Sequence, residues 1–219
     1  MVQSKGWDWE NANQAPWLKP TEDSYYLAIK WKEKGYVHLL DLGSGLGRHA
    51  IHFAKQGFQV NAIDISAYGI EHLKSWAAGE NLTVGTTTGD ILELCYPDGS
   101  FDCVFAYHVI SHSDTTGIRK IISEIKRVMK PEGEAFLSFC SKNDTRYLDP
   151  DAKRADENTI ISTTEPEVGV PHFFADLNDI IGLLKDFNIE KVRLTEYCDI
   201  VNVNTNKRHM YYYVNATLK

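Results

Sequence analysis

The stretch VHLLDLGSGLGRHAIHFAKQGFQVNAID, Val37–Asp64, decides the fold. Val37, Leu39, Leu40 and Leu42 form a nearly continuous apolar run, the pattern of a strand covered on both faces in a parallel sheet. In the bend that follows, Gly43, Gly45 and Gly47 alternate with Ser44 and Leu46. The backbone can therefore turn sharply, and a ligand can approach it without meeting a Cβ. A helix from about Leu46 to Gln56 and a second strand closing at Asp64 complete a strand, turn, helix and strand unit. Such a unit is a ligand-binding α/β element.

Glycine spacing narrows the ligand. The dinucleotide fingerprint G-x-G-x-x-G needs a third glycine at position 48, which is Arg48 here. Asp41, just before the bend, adds negative charge that suits a cationic ligand better than a pyrophosphate. Asp64 closes the second strand 17 residues beyond Gly47, where a carboxylate can accept hydrogen bonds from ribose hydroxyls. The N-terminus of the intervening helix offers amide donors for a ligand carboxylate.

Four segments in order carry a family resemblance: Asp41-Leu42-Gly43-Ser44-Gly45-Leu46-Gly47, Asp64-Ile65-Ser66, Gly89-Asp90-Ile91, and Phe101 through Tyr107. The chain resembles the class I S-adenosylmethionine-dependent methyltransferases over about residues 36–140, together with a C-terminal strand pair. Pro131-Glu132-Gly133-Glu134 is similar to the turn before the fifth strand, with Glu132 where the family usually has a second glycine. The resemblance implies an α/β fold, a Rossmann-like three-layer sandwich whose seven-stranded, mostly parallel sheet has one antiparallel strand near the C-terminus. It implies S-adenosyl-L-methionine as cofactor and S-adenosyl-L-homocysteine as product. The expected cofactor contacts are Asp41, Gly43, Ser44, Gly45, Gly47, Arg48, Asp64, Ile65, Gly89, Asp90, Ile91, Tyr107 and His108. Asp90 would take the exocyclic amine of adenine, with Ile91 packed on the ring.

The 219 residues suffice for one well-buried domain: an N-terminal cap (1–35), a cofactor-binding core (36–140), a substrate flap (141–174) and a C-terminal helix with a strand pair (175–219). A net charge of −7 disfavours binding to phosphate backbones, so no nucleic-acid partner is expected. The segment after the fourth strand also lacks the Asn/Asp-Pro-Pro-aromatic signature of amino-methylating nucleic-acid enzymes. No stretch has the length and apolarity of a leader or a membrane span, so no membrane partner and a cytoplasmic location are expected. Cys95, Cys103, Cys140 and Cys198 form no C-x-x-C pair, which predicts reduced, mostly buried thiols and no metal site. The partner is a small-molecule acceptor, and the oligomeric state is left open.

Outward from the core unit, residues 1–20 carry Trp7, Trp9 and Trp17 with the breakers Pro16 and Pro20, either a packing arm or a lid. Thr21–Lys34 reads as a helix with Leu27, Ala28, Ile29 and Trp31 as its apolar surface. His49 and His52, three apart on the helix after the glycine bend, read as packing or surface residues rather than as metal ligands. Ser66 is a natural N-cap for a helix ending at Gly79. Strands are expected at Leu82–Thr88, Phe101–Tyr107 and Ala135–Cys140, and the stripe Ile118, Ile121, Ile122, Ile125, Val128 and Met129 marks a core helix. The long polar connection 141–174 leaves the C-terminal end of a parallel strand, which favours substrate recognition over disorder. His172, Phe173 and Phe174 are its inward candidates, and Trp17, His172 and Phe173 the expected substrate contacts. A helix over Ala175–Phe187, capped by Asp176, places Leu177, Ile180, Ile181 and Leu184 on one face. Strands near Glu190–Tyr197 and Met210–Leu218 pair in antiparallel fashion across a turn at Asn204-Thr205-Asn206-Lys207.

For the chemistry, a sulfonium is already activated, and proximity alone can supply roughly 7–11 kcal/mol. A hydroxyl or protonated amine acceptor would need a base. His108 and His112 in Tyr107-His108-Val109-Ile110-Ser111-His112 are the catalytic candidates because imidazole titrates near neutrality, or else they only shape the pocket. Two other readings stand beside this one: an NAD(P)-dependent oxidoreductase, which shares the sheet, and a non-catalytic S-adenosylmethionine-binding protein.

Overall fold

The structure, a computed structural model, describes residues 4–10, 15–164, 167–198 and 208–219. A 3-10 turn (Ala15–Trp17) leads into α1 (Glu22–Glu33), β1 (His38–Leu42), α2 (Arg48–Lys55), β2 (Gln59–Asp64), α3 (Ala67–Gly79), β3 (Val84–Thr88) and β4 (Phe101–Ala106). Then follow α4 (Thr115–Val128), β5 (Met129–Ser141), α5 (Thr145–Leu148), β6 (Arg154–Asp156), β7 (Thr159–Ile161), β8 (Pro171–Ala175), α6 (Leu177–Leu183), β9 (Phe187–Cys198) and β10 (Arg208–Leu218).

The main sheet runs β3-β2-β1-β4-β5 with all neighbours parallel. β10 continues it antiparallel to β5, and β9 completes it antiparallel to β10. β10 is thus the one strand of these seven that runs against the others, as expected. Strand order reverses between β1 and β4, so a crevice opens at the carboxyl ends of those two strands, the place where open α/β sheets bind ligands.

Side-chain alternation explains the three layers. Leu40, Leu42, Val104 and Ala106 face α4 and α6, joining Ile118, Ile121, Ile122, Ile125 and Ile180 in one apolar cluster. Leu39, Cys103 and Phe105 point the other way, with Leu27, Trp31, Ala50, Phe53 and Leu73 from α1, α2 and α3. Each fully buried aliphatic chain contributes about 1.5–3 kcal/mol, so the α4 stripe alone fixes that helix on the sheet. Local capping sets the helix starts: Ser66 accepts the Gly69 N–H at 3.2 Å, and Asp176 and Asp179 form a reciprocal capping box.

Two expectations are corrected. Ile29 is 61% exposed, because only Leu27, Ala28 and Trp31 of α1 turn to the sheet. α6 is shorter than expected: Leu184 is already its C-cap and Phe187 opens β9, so Ile180 and Leu184 reach the core while Leu177 and Ile181 are exposed. The connection 141–174 carries its own order, since β4 pairs with β5 only as far as Leu137 and β8 takes the same edge at Cys140 and Ser141. β7 and β6 then extend β8 as a small antiparallel ribbon. The turn assigned to Asn204–Lys207 lies outside the described residues. Of the cysteines, Cys103 and Cys140 are buried free thiols and Cys95 is an exposed one.

Candidate functional site

The glycine bend is fastened to the end of β2. Gly43 and Gly45 adopt left-handed φ values of 69° and 54°, which an L side chain rarely takes. The Gly43 and Ser44 amides donate to the Ile63 carbonyl at 2.8 and 3.1 Å. The Gly45 amide donates to Asp64 Oδ2, and the Ser66 amide to Asp64 Oδ1, each at 2.8 Å. A carboxylate has about four lone-pair positions, so Asp64 keeps one on each oxygen for an incoming hydroxyl. Burial raises the pKa of Asp64, against the pull of the Ser66 and Gly45 amides. The amides of Gly47 and Ala50 are also bound internally, to the Ser44 carbonyl and to Asp41. Bend and helix start therefore offer fewer amide donors to a ligand than the sequence implied.

A cavity of about 270 Å³ opens over this bend. Among the expected ligand contacts, Gly43, Ser44, Gly45, Arg48, Asp64, Ile65, Asp90, Ile91, Tyr107, His108, His112, Trp17 and His172 line it. The buried hydroxyl of Ser44 has no hydrogen-bond partner among the described residues and stands at the wall. Asp41, Gly47, Gly89 and Phe173 are not part of the lining. Asp41 sits behind the bend, where burial pushes its carboxyl up to about 7 and leaves Oδ2 without a partner. Phe173 corrects the expectation of an inward residue: alternation along β8 aims His172 at the cavity and Phe173 into the core beside α4 and α6. Phe174 likewise packs in a small cluster with Cys140 and Ile160.

The segment after β4 is held rigidly. His108 has a φ of 53°, donates its amide to Ser138 Oγ at 2.5 Å, and is stacked between Tyr107 and Tyr211 with both ring centroids at 4.0 Å. Its Nε2 lies 2.8 Å from the Tyr213 hydroxyl, which also meets the hydroxyls of Tyr107 and Tyr197 at 3.2 and 2.9 Å. Burial, followed by the charge of Arg48, drives His108 well below the ordinary imidazole range. Burial and then His172 push His112 down to about 3. Both shifts run away from neutrality, which favours the reading in which these rings shape the pocket over the one in which either acts as a base. His49 and His52 are packing residues as expected, with His49 against Phe105 and Tyr107 and His52 against Tyr25.

Several wall residues were not legible in the sequence. Asp144 is fully buried and accepts the Arg146 amide at 2.8 Å, the Arg146 guanidinium at 2.9 and 3.0 Å, and the Met210 amide at 2.9 Å. Burial would raise its pKa, but His209 and Arg146 hold it far below the carboxylate range. Arg146 is thus a neutralised cation in the wall beside Tyr211. Glu167 approaches His112 and His172 at 3.7 and 3.3 Å, a grouping that the expectation of no metal site did not foresee.

The N-terminal segment partly covers the mouth. Trp7, Trp9 and Trp17 pack together with centroids 4.8–5.7 Å apart. Trp9 rests on Gly45, where a Cβ would meet its Cζ2 at 2.7 Å, and Gly6 rests on Ile65. Across the opening, Trp7 Nε1 donates to Glu167 at 2.6 Å and Lys5 donates to the Val168 carbonyl. Arg48 ties the segment down through the Pro16 and Lys19 carbonyls, each at 3.3 Å, with its guanidinium over Trp17 and Tyr107.

Comparison with known proteins places this geometry. Residues 39–133 match a family model described as a methyltransferase domain. The chain is 26% identical over 181 residues to ajmaline N-methyltransferase of Rauvolfia serpentina, covering 81% of this chain and 60% of that protein. It is 35% identical over 112 residues to a sterol 24-C-methyltransferase of Gibberella zeae, covering 50% of this chain and 29% of that one. The matched stretches thus span less than two thirds of these relatives. Among solved structures, a S-adenosylmethionine-dependent methyltransferase from Methanosarcina mazei superposes with a TM-score of 0.69 at 23% identity, covering 83% of this chain and 92% of that one, and so shares the fold.

Proposed function

With residues 39–133 belonging to the class I S-adenosylmethionine-dependent methyltransferase family, we propose that this chain transfers a methyl group from S-adenosyl-L-methionine to a small organic acceptor, leaving S-adenosyl-L-homocysteine. The observation that carries the reading is the Gly43–Gly45 bend locked to an Asp64 carboxylate with lone pairs to spare, facing a partly covered cavity. When bound, the cofactor supplies a methyl group on a positively charged sulfur, ready for in-line displacement.

The chain's own residues then hold, orient and exclude water. Asp64 takes the ribose hydroxyls, while Gly43 and Gly45 keep the bend bare of side chains. Asp90 and Ile91 receive the adenine from the other side of the crevice. Ser44, with its unpartnered hydroxyl, and Arg48 answer the polar end of the ligand. Asp41 stands behind the bend, outside the cavity lining, and makes no contact with the ligand. His108, clamped between Tyr107 and Tyr211, fixes the floor where cofactor and acceptor meet, and its engagement with Tyr213 leaves it a positioning residue. The tryptophan cap (residues 1–35) and the flap (141–174) enclose the acceptor, with Trp17 and His172 at its boundary. Water exclusion and orientation are sufficient sources of rate here.

A small acceptor suits a cavity of about 270 Å³ partly covered by the chain's own cap, and two of the relatives matched act, by their names, on ajmaline and a sterol. The unpaired thiols Cys95, Cys103 and Cys140 fit a reducing, cytoplasmic setting. Among the described residues no helix is long and apolar enough to cross a membrane. Isothermal titration calorimetry with S-adenosylmethionine, S-adenosylhomocysteine and NAD tests the reading. Binding of the first two without NAD is expected, whereas NAD binding alone would reject it.

A further inference from the structure

Three side chains from two separate parts of the chain converge on the cavity wall opposite the glycine bend. His112 comes from the segment after β4, and Glu167 and His172 come from the flap on either side of the β8 start. Their candidate ligand atoms all lie within 4.8 Å of one another. His112 Nε2 is 3.7 Å from Glu167 Oε1, and His172 Nε2 is 3.3 Å from Glu167 Oε2. A transition-metal ion about 2.0–2.2 Å from each ligand requires ligand atoms roughly 3.0–3.5 Å apart. The two glutamate–histidine spacings nearly meet that requirement, and the remaining pair, within 4.8 Å, must draw in by up to about 1.3 Å.

The hydrogen bonding around the trio is that of a ligand set. His172 Nδ1 lies 3.2 Å from the Val170 carbonyl. A carbonyl only accepts, so Nδ1 carries a proton and Nε2 is the ring atom turned toward Glu167. Glu167 Oε2 lies 3.3 Å from that nitrogen, so a divalent ion would bind in place of a proton shared by the two atoms. The backbone carbonyl behind His172 is the outer-sphere partner that orients metal-binding histidines, and the Trp7 indole N–H on Glu167 at 2.6 Å plays the same part for the carboxylate. Arg146, the cation on the same wall, is already neutralised by Asp144.

We propose that His112, Glu167 and His172 form a two-histidine, one-carboxylate site for a divalent first-row transition ion, with its remaining coordination positions open to the cavity. Imidazole with carboxylate selects zinc or iron(II) over magnesium or calcium. Three protein ligands with an open position describe a working site rather than a structural one. If the methyltransferase reading holds, on which this further step rests, the site names the acceptor class: a hydroxyl or thiol that enters the open position. Such a group, on coordination, releases its proton to solvent more readily and stays as an anion facing the cofactor side.

The test uses the full chain, stripped with a chelator and titrated with Co²⁺ as a spectroscopic probe and with Zn²⁺ by calorimetry. One equivalent of each ion is expected, with visible d–d absorption from Co²⁺. Glu167→Gln and His172→Ala should each weaken binding at least tenfold, whereas His72→Ala, on α3 and outside the cavity lining, should not. Circular dichroism confirms that each variant is folded. Should His172→Ala not fold, Glu167→Gln alone decides. Absent uptake, uptake unchanged in Glu167→Gln, or nuclear magnetic resonance detection of both His172 ring N–H protons in a protein that takes up no ion would overturn the proposal. The last outcome would identify a plain imidazolium–carboxylate pair. Ion uptake without S-adenosylhomocysteine binding would leave the metal site standing and remove the methyltransferase reading. S-adenosylhomocysteine binding without ion uptake would do the reverse.

Discussion

Replacing Asp64 by Asn separates the two duties of that side chain. In the folded protein its oxygens accept the Gly45 and Ser66 amides, both at 2.8 Å. An asparagine has one oxygen, so one of these amides must face the side-chain NH₂, donor against donor. A hydrogen bond to a charged acceptor is worth about 1.5–3 kcal/mol, and the loss of one should lower folding stability by about 2–3 kcal/mol, read from urea unfolding. The same substitution removes the negative charge that the ribose hydroxyls would meet. That loss is expected to weaken binding by about 1–3 kcal/mol, roughly 5- to 150-fold. Because the ribose is common to both ligands, calorimetry should find S-adenosylmethionine and S-adenosylhomocysteine weakened alike. If the folded variant bound both with unchanged affinity, Asp64 would not be the ribose acceptor. If only the sulfonium lost affinity, Asp64 would be acting as a charge on the sulfur.

Three further expectations follow from single residues. Trp9→Ala removes the ring seated on Gly45, so S-adenosylhomocysteine should dissociate at least several-fold faster in stopped-flow displacement, and an unaltered off-rate would reduce the cap to a packing arm. Asp41 has its pKa raised from the ordinary carboxylate value to about 7 by burial, so the folded state holds a proton that the unfolded chain gives up near pH 4. Its contribution to stability is full below about pH 4 and is lost as pH rises to about 7, on the order of a few kcal/mol. Asp41→Asn should flatten that part of the stability profile, and a wild-type profile already flat between those limits would refute the assignment. Glu132 occupies a left-handed φ of 60° where the related turn usually has glycine. An L residue there costs about 1–2 kcal/mol, partly offset by the freedom glycine has when unfolded. Glu132→Gly should therefore stabilise the protein by up to about 1 kcal/mol, visible as a higher urea midpoint with an unchanged slope.

Adjacent residues carried most of what could be read in advance. The apolar run before Gly43, the glycine alternation, the α4 isoleucine stripe and the Ser66 and Asp176 caps are local patterns, and local patterns set elements because period and capping act within a few residues. Most expected cofactor contacts line the cavity for the same reason: they sit at strand ends, and strand ends share one edge of a parallel sheet. Strand direction at the C-terminus was likewise legible, since the short connection leaves no room for a crossover helix.

Tertiary structure alone decided how the flap and the cap use their side chains. His112 is far in sequence from Glu167 and His172, and nothing in their spacing announces a common point until β8 pairs onto the edge that β4 vacates. The same pairing turns Phe173 into the core, because a strand's register fixes which face each residue takes. Burial likewise set the protonation of His108 and His112, a property of desolvation by surrounding atoms that no list of neighbours along the chain contains. The sequence by itself determined the main strands, their directions and the glycine bend. The fold determined the acceptor wall, because that wall is assembled from segments whose only relation is three-dimensional.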